Sequence, residues 1–284
     1  TDGDPSTEPP PGRPRAAVRW PTYDEREAAM PVVTGYDDGV PCWVDLGSSN
    51  IEESVRFYGS LFGWSHQDSG PDTGHYTMFT LNDSTVAAVG GLMMEGQPEV
   101  WSTYVKVADA DATAAAVTGA GGSVLAPPMD VMSEGRMAVF MDPTGAAISI
   151  WQPANMSGAQ LVNESGTLVW NELNTRDLDA SKAFYPKVFG WAAHDNEMEG
   201  MTYTEWQVSG RTVGGMLPMP EAIPPQVPNH WLVYFGTDDT DATVAKATEL
   251  GGSVLAPPFD VPPGRMAVLA DPHGAAFAVI KMAG

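Results

Sequence analysis

Apolar positions along the chain switch between two periods. Residues 43–47 (WVDLG) form a short apolar run, and Asn50 behind it is a residue type that caps helices. Ile51, Val55, Tyr58 and Phe62 recur at helical spacing, which predicts an amphipathic helix. Strand-like stretches follow at 75–81 (HYTMFTL) and 86–93 (VAAVGGLM). The order then restarts. WSTYVKV (101–107) reads as a strand, and Asp109 or Asp111 opens an alanine-rich helix to about residue 120. GSVLAPP, GRMAVFM and AAISIW complete the series as three strands.

The pattern then repeats. GGSVLAPPMDV at 121–131 returns as GGSVLAPPFDV at 251–261, GRMAV at 135–139 returns at 264–268, and DPTGAA at 142–147 returns as DPHGAA at 271–276. FYGSLFGW at 57–64 corresponds to FYPKVFGW at 184–191. The blocks keep their order, so the chain holds two copies of one unit, too long for a solenoid repeat and of domain size. The expected division is a Pro-rich arm (1–39), a first domain (40–153), a linker (154–166) and a second domain (167–284). Each copy reads as strand–helix–strand–strand–strand, twice over. Pro186, near the end of the second copy's first helix, is expected to weaken or kink its last turn. The arm is expected to be extended, with Trp20 and Tyr23 as apolar anchors, and to wrap the other repeat or cover a cleft mouth.

Charge and composition narrow the function. A formal charge of −22 and a pI near 4.3 argue against sequence-blind binding to nucleic acid or an anionic membrane. No apolar run is long enough to span a bilayer, and the first 30 residues contain no signal-peptide core. Cys42 is the only cysteine, so neither an internal disulfide nor a cysteine-based zinc site is expected. A cytoplasmic location follows as the expectation. No GxSxG, HExxH, Walker loop or strand-borne GxGxxG is present.

The repeated FY…FGW helix ends, the Gly-Gly turns and the DPTG and DPHG turns resemble the vicinal oxygen chelate superfamily, which includes glyoxalase I, extradiol dioxygenases and bleomycin-resistance proteins. The likeness covers about 230 residues, and tandem actinobacterial members labelled glyoxalase-like or hydroxylase are the nearest type. It implies an α+β fold: four βαβββ modules forming two tandem domains whose curled mixed sheets surround concave clefts. It also implies a monomer with its repeats about a pseudo-two-fold axis, since single-copy relatives pair two chains. Metal-dependent members place ligands on the first, fifth and last strands. Counted from the motifs, those places hold Trp43, Ser102 and Ser149 in the first copy and Trp170, Leu232 and Ala278 in the second. None is a strong ligand, so no metal and no other cofactor is expected.

Alternation sends Asp45 to the same face as Trp43, and Glu172 to the face of Trp170, while Val44, Leu46 and Leu173 pack against helices. Tyr104 joins Ser102, and Tyr234 joins Leu232. The expected substrate-binding lining is therefore Trp43, Ser102, Tyr104, Ser149, Trp170 and Tyr234, suited to a flat aromatic or cationic molecule. Asp45, Glu172 and His230 are the candidate proton-handling residues. Each also has a structural reading: the tryptophans as core, the carboxylates as partners of Arg136 and Arg265, and His230 as a cap on the Pro-rich loop before it. His273 reads as exposed, His66 and His194 as surface-strand residues, and His75 as a strand start. Met93, Met94, Met216 and Met219 are candidates for a pliable cleft wall or for core. Two classes of function remain open for a hydrophobic aromatic small molecule. One is a natural-product tailoring enzyme that cyclises, isomerises or hydroxylates. The other is a non-catalytic drug-binding protein. A metal-dependent glyoxalase or dioxygenase comes third.

Overall fold

The computed structural model describes residues 32–93, 96–198, 200–221 and 223–283. The first copy comprises β1 (Pro41–Ser48), α1 (Ile51–Phe62), β2 (Ser65–Asp68), β3 (Thr77–Leu81) and β4 (Ser84–Gly91), followed by β5 (Val100–Lys106), α2 (Ala110–Gly119), β6 (Ser123–Val131), β7 (Gly135–Met141) and β8 (Ala147–Pro153). The second comprises β9 (Leu168–Thr175), α3 (Leu178–Phe189), β10 (Ala192–Met198), β11 (Met201–Val208) and β12 (Arg211–Pro218), followed by β13 (His230–Gly236), α4 (Thr240–Glu249), β14 (Ser253–Val261), β15 (Gly264–Ala270) and β16 (Ala276–Met282). These are the four βαβββ modules. Each copy forms one eight-stranded mixed sheet, β2-β3-β4-β1-β5-β8-β7-β6 and β10-β11-β12-β9-β13-β16-β15-β14. Among the described residues, no helix is long and apolar enough to cross a membrane.

Local chemistry sets the helix ends. Asn50, Asp109, Asp177 and Asp239 each accept a backbone N–H of the first turn, so Asp109, not Asp111, caps α2. Gly63 and Gly190 end α1 and α3 in the left-handed conformation that glycine adopts without strain. The tryptophan after each glycine then turns inward. Trp64 Nε1 donates to the Gly166 carbonyl at 2.7 Å, and Trp191 Nε1 to the Gly39 carbonyl at 2.6 Å. Pro186 does not end its helix, which continues to Phe189, where Gly190 N–H bonds the Pro186 carbonyl at 3.0 Å.

The helices lie between the two sheets, and each core is shared by both copies. Phe57, Tyr58 and Leu61 of α1 pack with Val44 and Leu46 of β1 and with Leu269 and Phe277 of the second copy. Phe184 and Tyr185 of α3 pack with Leu173 and with Phe140, Ile148 and Ile150 of the first. The repeated motifs meet here. Tyr185 Oη donates to Asp142 of the DPTG turn at 2.8 Å, and Tyr58 Oη to Asp271 of the DPHG turn at 3.1 Å. Trp231 and Trp101 each donate an indole N–H to those tyrosine oxygens at 2.9 Å. A Cβ on Gly122 would stand 2.8 Å from the Phe184 ring, so the second glycine of that turn is what lets the opposite helix approach.

Trp20 and Tyr23 lie outside the described residues. The end of the arm is docked. Val33 N–H bonds the Gln160 carbonyl at 2.8 Å, and Tyr36 Oη donates to the Ala159 carbonyl at 2.6 Å. The connector 154–166 is thereby bound down, with Ala159 and Leu161 buried. His273 is not simply exposed. Its ring lies at the contact between the copies, 3.0 Å from Glu53 and 3.8 Å from Glu99. His75 does not begin a strand. It has a positive φ of 62° in the preceding loop and pairs with Asp68 at 2.8 Å.

Candidate functional site

The helix-free face of each sheet carries a buried polar chain within an aromatic wall. In the first copy, register sets Trp43 beside Tyr104, Asp45 beside Ser102, and Tyr104 beside Ser149. Trp43 Nε1 donates to Tyr76 Oη at 3.2 Å. The Tyr76 and Tyr104 hydroxyls both donate to Asp45 Oδ2 at 3.0 Å, and Ser102 bonds the same carboxyl group. In the second copy, Trp170 Nε1 donates to Tyr203 Oη at 3.0 Å. Tyr203 Oη donates to Glu172 Oε2 at 3.0 Å, and Tyr234 Oη to Glu172 Oε1 at 2.5 Å. The same Trp–Tyr–carboxylate–Tyr relay is thus built twice. In the second copy the backbone makes room for it: a Cβ on Gly215 would fall 1.9 Å from the Tyr203 hydroxyl.

Burial governs the chemistry of these acids. Removal from water pushes the Asp45 carboxyl up to about 6, against the opposing hydrogen bonds from Tyr104, Tyr76 and Ser102. Glu172, 6% exposed, is pushed up to about 7 by burial, against the bonds from Tyr234 and Tyr203. Burial also raises all four tyrosines well above their usual range, so they stay neutral donors.

Six expected lining residues and both carboxylates therefore fall on the two faces anticipated, four with Asp45 and two with Glu172. The tryptophans are nearly enclosed, Trp43 at 3% and Trp170 at 8% exposure. Arg136 and Arg265 are not the partners of the carboxylates. Arg136 precedes Met137, which faces the cleft wall, so its own side chain leaves on the other face and pairs with Asp111 and Asp130. Arg265 likewise pairs with Asp241 and Asp260. His230 touches neither carboxylate: its Nδ1 donates to the Pro228 carbonyl at 2.9 Å, the loop-capping arrangement. Met216 belongs to the core between the copies, Met93 is exposed, and Met94 lies outside the described residues. The methionines against the first aromatic wall are Met78, Met137 and Met156. Tyr76 and Tyr203 were not anticipated. Their signal is the pair Tyr-Thr at 76–77 and 203–204, spaced as the two FY pairs are. Two open depressions, of about 300 and 680 Å³, lie off these faces, and neither is lined by relay residues.

The positions where the fold's metal-dependent members hold an ion do not fit one here. Register places Tyr104, two residues past Ser102, between Trp43 and Ser149, and Tyr234 between Trp170 and Ala278. Indole, phenol, hydroxyl and methyl groups supply no imidazole, thiolate or carboxylate, and the nearby Asp45 and Glu172 already accept tyrosine hydroxyls. Among the described residues, no group of three or more His, Cys, Asp or Glu is placed to hold a metal ion.

Comparison with known proteins agrees with this architecture. The family model described as Glyoxalase/Bleomycin resistance protein/Dioxygenase superfamily matches residues 42–150 and 167–279. CFP32 of Mycobacterium tuberculosis, whose name describes a glyoxylase, is 45% identical over 89% of this chain and 99% of its own length. The anthracycline biosynthesis protein DnrV of Streptomyces peucetius is 40% identical over 88% of this chain and 96% of its own. The Mn(II)-bound glyoxalase of Novosphingobium aromaticivorans is 16% identical, with a TM-score of 0.60 over 86% of this chain and 82% of that one. The likeness to that structure concerns the fold alone. With two matched copies and full-length relatives at this identity, the chain belongs to the glyoxalase/bleomycin resistance protein/dioxygenase superfamily.

Proposed function

We propose that this chain is a metal-independent tailoring enzyme that takes a hydrophobic aromatic small molecule and moves protons on it. The observation that carries this reading is the twice-built relay: a buried carboxyl pushed toward neutrality, held by tyrosine hydroxyls inside an aromatic wall, with no cation bonded to it. A group that titrates near the working pH takes up and releases a proton at little cost. Both Glu172 oxygens are occupied by tyrosine hydroxyls, so a proton reaches a ligand through Tyr203 or Tyr234. Isomerisation or cyclisation needs no more than such an acid and base. The relatives named for anthracycline biosynthesis support a planar aromatic compound as the substrate class.

Untagged protein is expected to contain less than about 0.1 transition metal per chain and to keep its binding and turnover in chelator. About one zinc, iron or manganese per chain by elemental analysis overturns the metal-independent reading. Stacking on an indole adds about 0.5–1.5 kcal/mol beyond area burial, so alanine at whichever of Trp43 and Trp170 lines the occupied cleft is expected to weaken a planar aromatic ligand about tenfold once lost apolar contact is added. Fluorescence titration in which both folded variants bind like wild type assigns the tryptophans to the core. The occupied Glu172 oxygens also favour a second reading, a binder in which the carboxyl only orients tyrosines. Chromatography of the ligand after incubation separates the two: an unchanged compound supports the binder.

A further inference from the structure

The two copies match in their relays but differ one step further along the strand. Trp170, Glu172 and Asn174 alternate on one face of β9. Asn174 is 6% exposed, and its Nδ2 has no hydrogen-bond partner. A buried donor left without a partner is destabilising. Among the described residues, two other buried side-chain atoms share that condition. Trp206 Nε1 lies in the core between the copies, and Glu99 Oε2 at the contact with His273. Asn174 alone stands on a relay face.

The matching position in the first copy is Gly47, two residues past Asp45. There the space is taken: Leu92 Cδ2 and Gln97 Nε2 lie 3.5 Å from where a Cβ would stand. Across the strand pair, Asn174 is in register with His230, whereas Gly47 is in register with Val100. One copy therefore presents an unpartnered amide and an imidazole beside its relay, and in the other the side chains of Leu92 and Gln97 occupy the matching ground. The second copy also carries Glu205, buried and bonded to Thr212 at 3.0 Å, where register gives the first copy Met78. Two carboxyl groups, Glu172 and Glu205, on that face disfavour an anionic ligand oxygen. A neutral acceptor, a carbonyl or phenolic oxygen, suits an unused N–H donor there.

We propose that the second cleft is the ligand-bearing one, and that Asn174 Nδ2 donates a hydrogen bond to a carbonyl or phenolic oxygen of a planar aromatic ligand; this rests on the aromatic small-molecule reading above. The donor fixes the orientation of the ring system over Trp170 and sets one oxygen beside Glu172 and its tyrosines. The first cleft, with its methionines and a glycine where the second has Asn174, keeps the relay as part of its packing.

The probes are 1,8-dihydroxyanthraquinone and the oxygen-free anthracene, each titrated by tryptophan quenching. Wild type is expected to bind about one quinone per chain. Asn174→Ala and Asn174→Leu are expected to weaken the quinone about tenfold or more and to change anthracene by less than about twofold. The alanine variant removes the donor without adding bulk, and the leucine variant, free of the orphan amide, is expected to be at least as stable as wild type. Trp170→Ala is expected to lower quinone affinity, and Trp43→Ala to leave it within about twofold. If both Asn174 variants bind the quinone as wild type does, the assignment of Asn174 is wrong. If Trp43→Ala carries the loss instead, the second cleft is the wrong one, while the aromatic-ligand reading stands. A wild type that binds neither probe overturns both.

Discussion

Tyr185→Ala is expected to destabilise the protein by about 3–5 kcal/mol, enough to remove much of the stability of an ordinary domain. The ring lies stacked on Trp191 at 5.3 Å and edge-on to Trp231 at 5.5 Å, with no exposure to solvent. Alanine leaves a cavity in the core that both copies share. The hydroxyl has a separate role. It donates to Asp142 at 2.8 Å and accepts from Trp231 at 2.9 Å, so Tyr185→Phe strands one buried acceptor and one buried donor. A cost of about 1–3 kcal/mol is expected for that change alone. Because Asp142 sits in the opposite copy, Tyr185→Phe and Asp142→Asn should be non-additive in a double-mutant cycle. Urea unfolding measures all four proteins. A Tyr185→Phe variant as stable as wild type, or strictly additive costs, would show that the contact contributes nothing across the copies.

Glu172→Gln is expected to change how stability depends on pH, and its sign follows from the direction of the shift. The carboxyl binds its proton more tightly in the folded protein, where burial pushes it up to about 7, than in the unfolded chain, near 4.5. Its contribution is therefore complete below pH 4.5 and is lost as pH rises through 7. A displacement of that size corresponds to about 3 kcal/mol. Wild type should lose about 2.5 kcal/mol of this relative to Glu172→Gln between pH 5 and pH 8. The other carboxylates, and the self-repulsion of a chain with a formal charge of −22, affect both proteins alike and cancel in the comparison. Parallel stability curves for the two proteins across that range would sink the claim that Glu172 is buried without a cation.

The fold was legible because its motifs occur twice and each reports a backbone demand. The glycines end helices or admit an opposing ring, and the aspartates of the DP turns bind their own loop amides. Alternation along WVD and WNE was enough to place Trp43 with Asp45 and Trp170 with Glu172, since the register is regular within these two runs of β1 and β9. The tyrosines that complete each relay were not legible. Tyr76 precedes β3 and Tyr203 lies in β11, each two strands away in the sheet from the strand that carries its carboxylate. Period alone does not bring them to Asp45 and Glu172. Arginine as the partner of a buried acid was the wrong expectation, because Arg136 and Arg265 occupy the opposite phase of their strands. β2, a run of Ser, His, Gln and Asp exposed throughout, has no hydrophobic alternation to announce it. Asn174 was silent for another reason: nothing in a sequence marks a donor as unpaired.

The crossed contacts between the copies also constrain how this chain can change. Tyr58 reads Asp271, and Tyr185 reads Asp142, so each half is the template against which the other half's motifs are held. A substitution in the FY pair or the DP turn of one half is answered by the unchanged surface of the other. The shared cores tolerate changes of apolar size, such as Phe140 against Leu269 and Ile148 against Phe277. The outward faces differ in chemistry: serine against alanine at 149 and 278, methionine against glutamate at 78 and 205, and glycine against asparagine at 47 and 174. Fusing two copies in one chain thus separates inheritance from innovation, with the crossed tyrosine–aspartate contacts kept alike by mutual fit and the outward clefts left free to take on different chemistry.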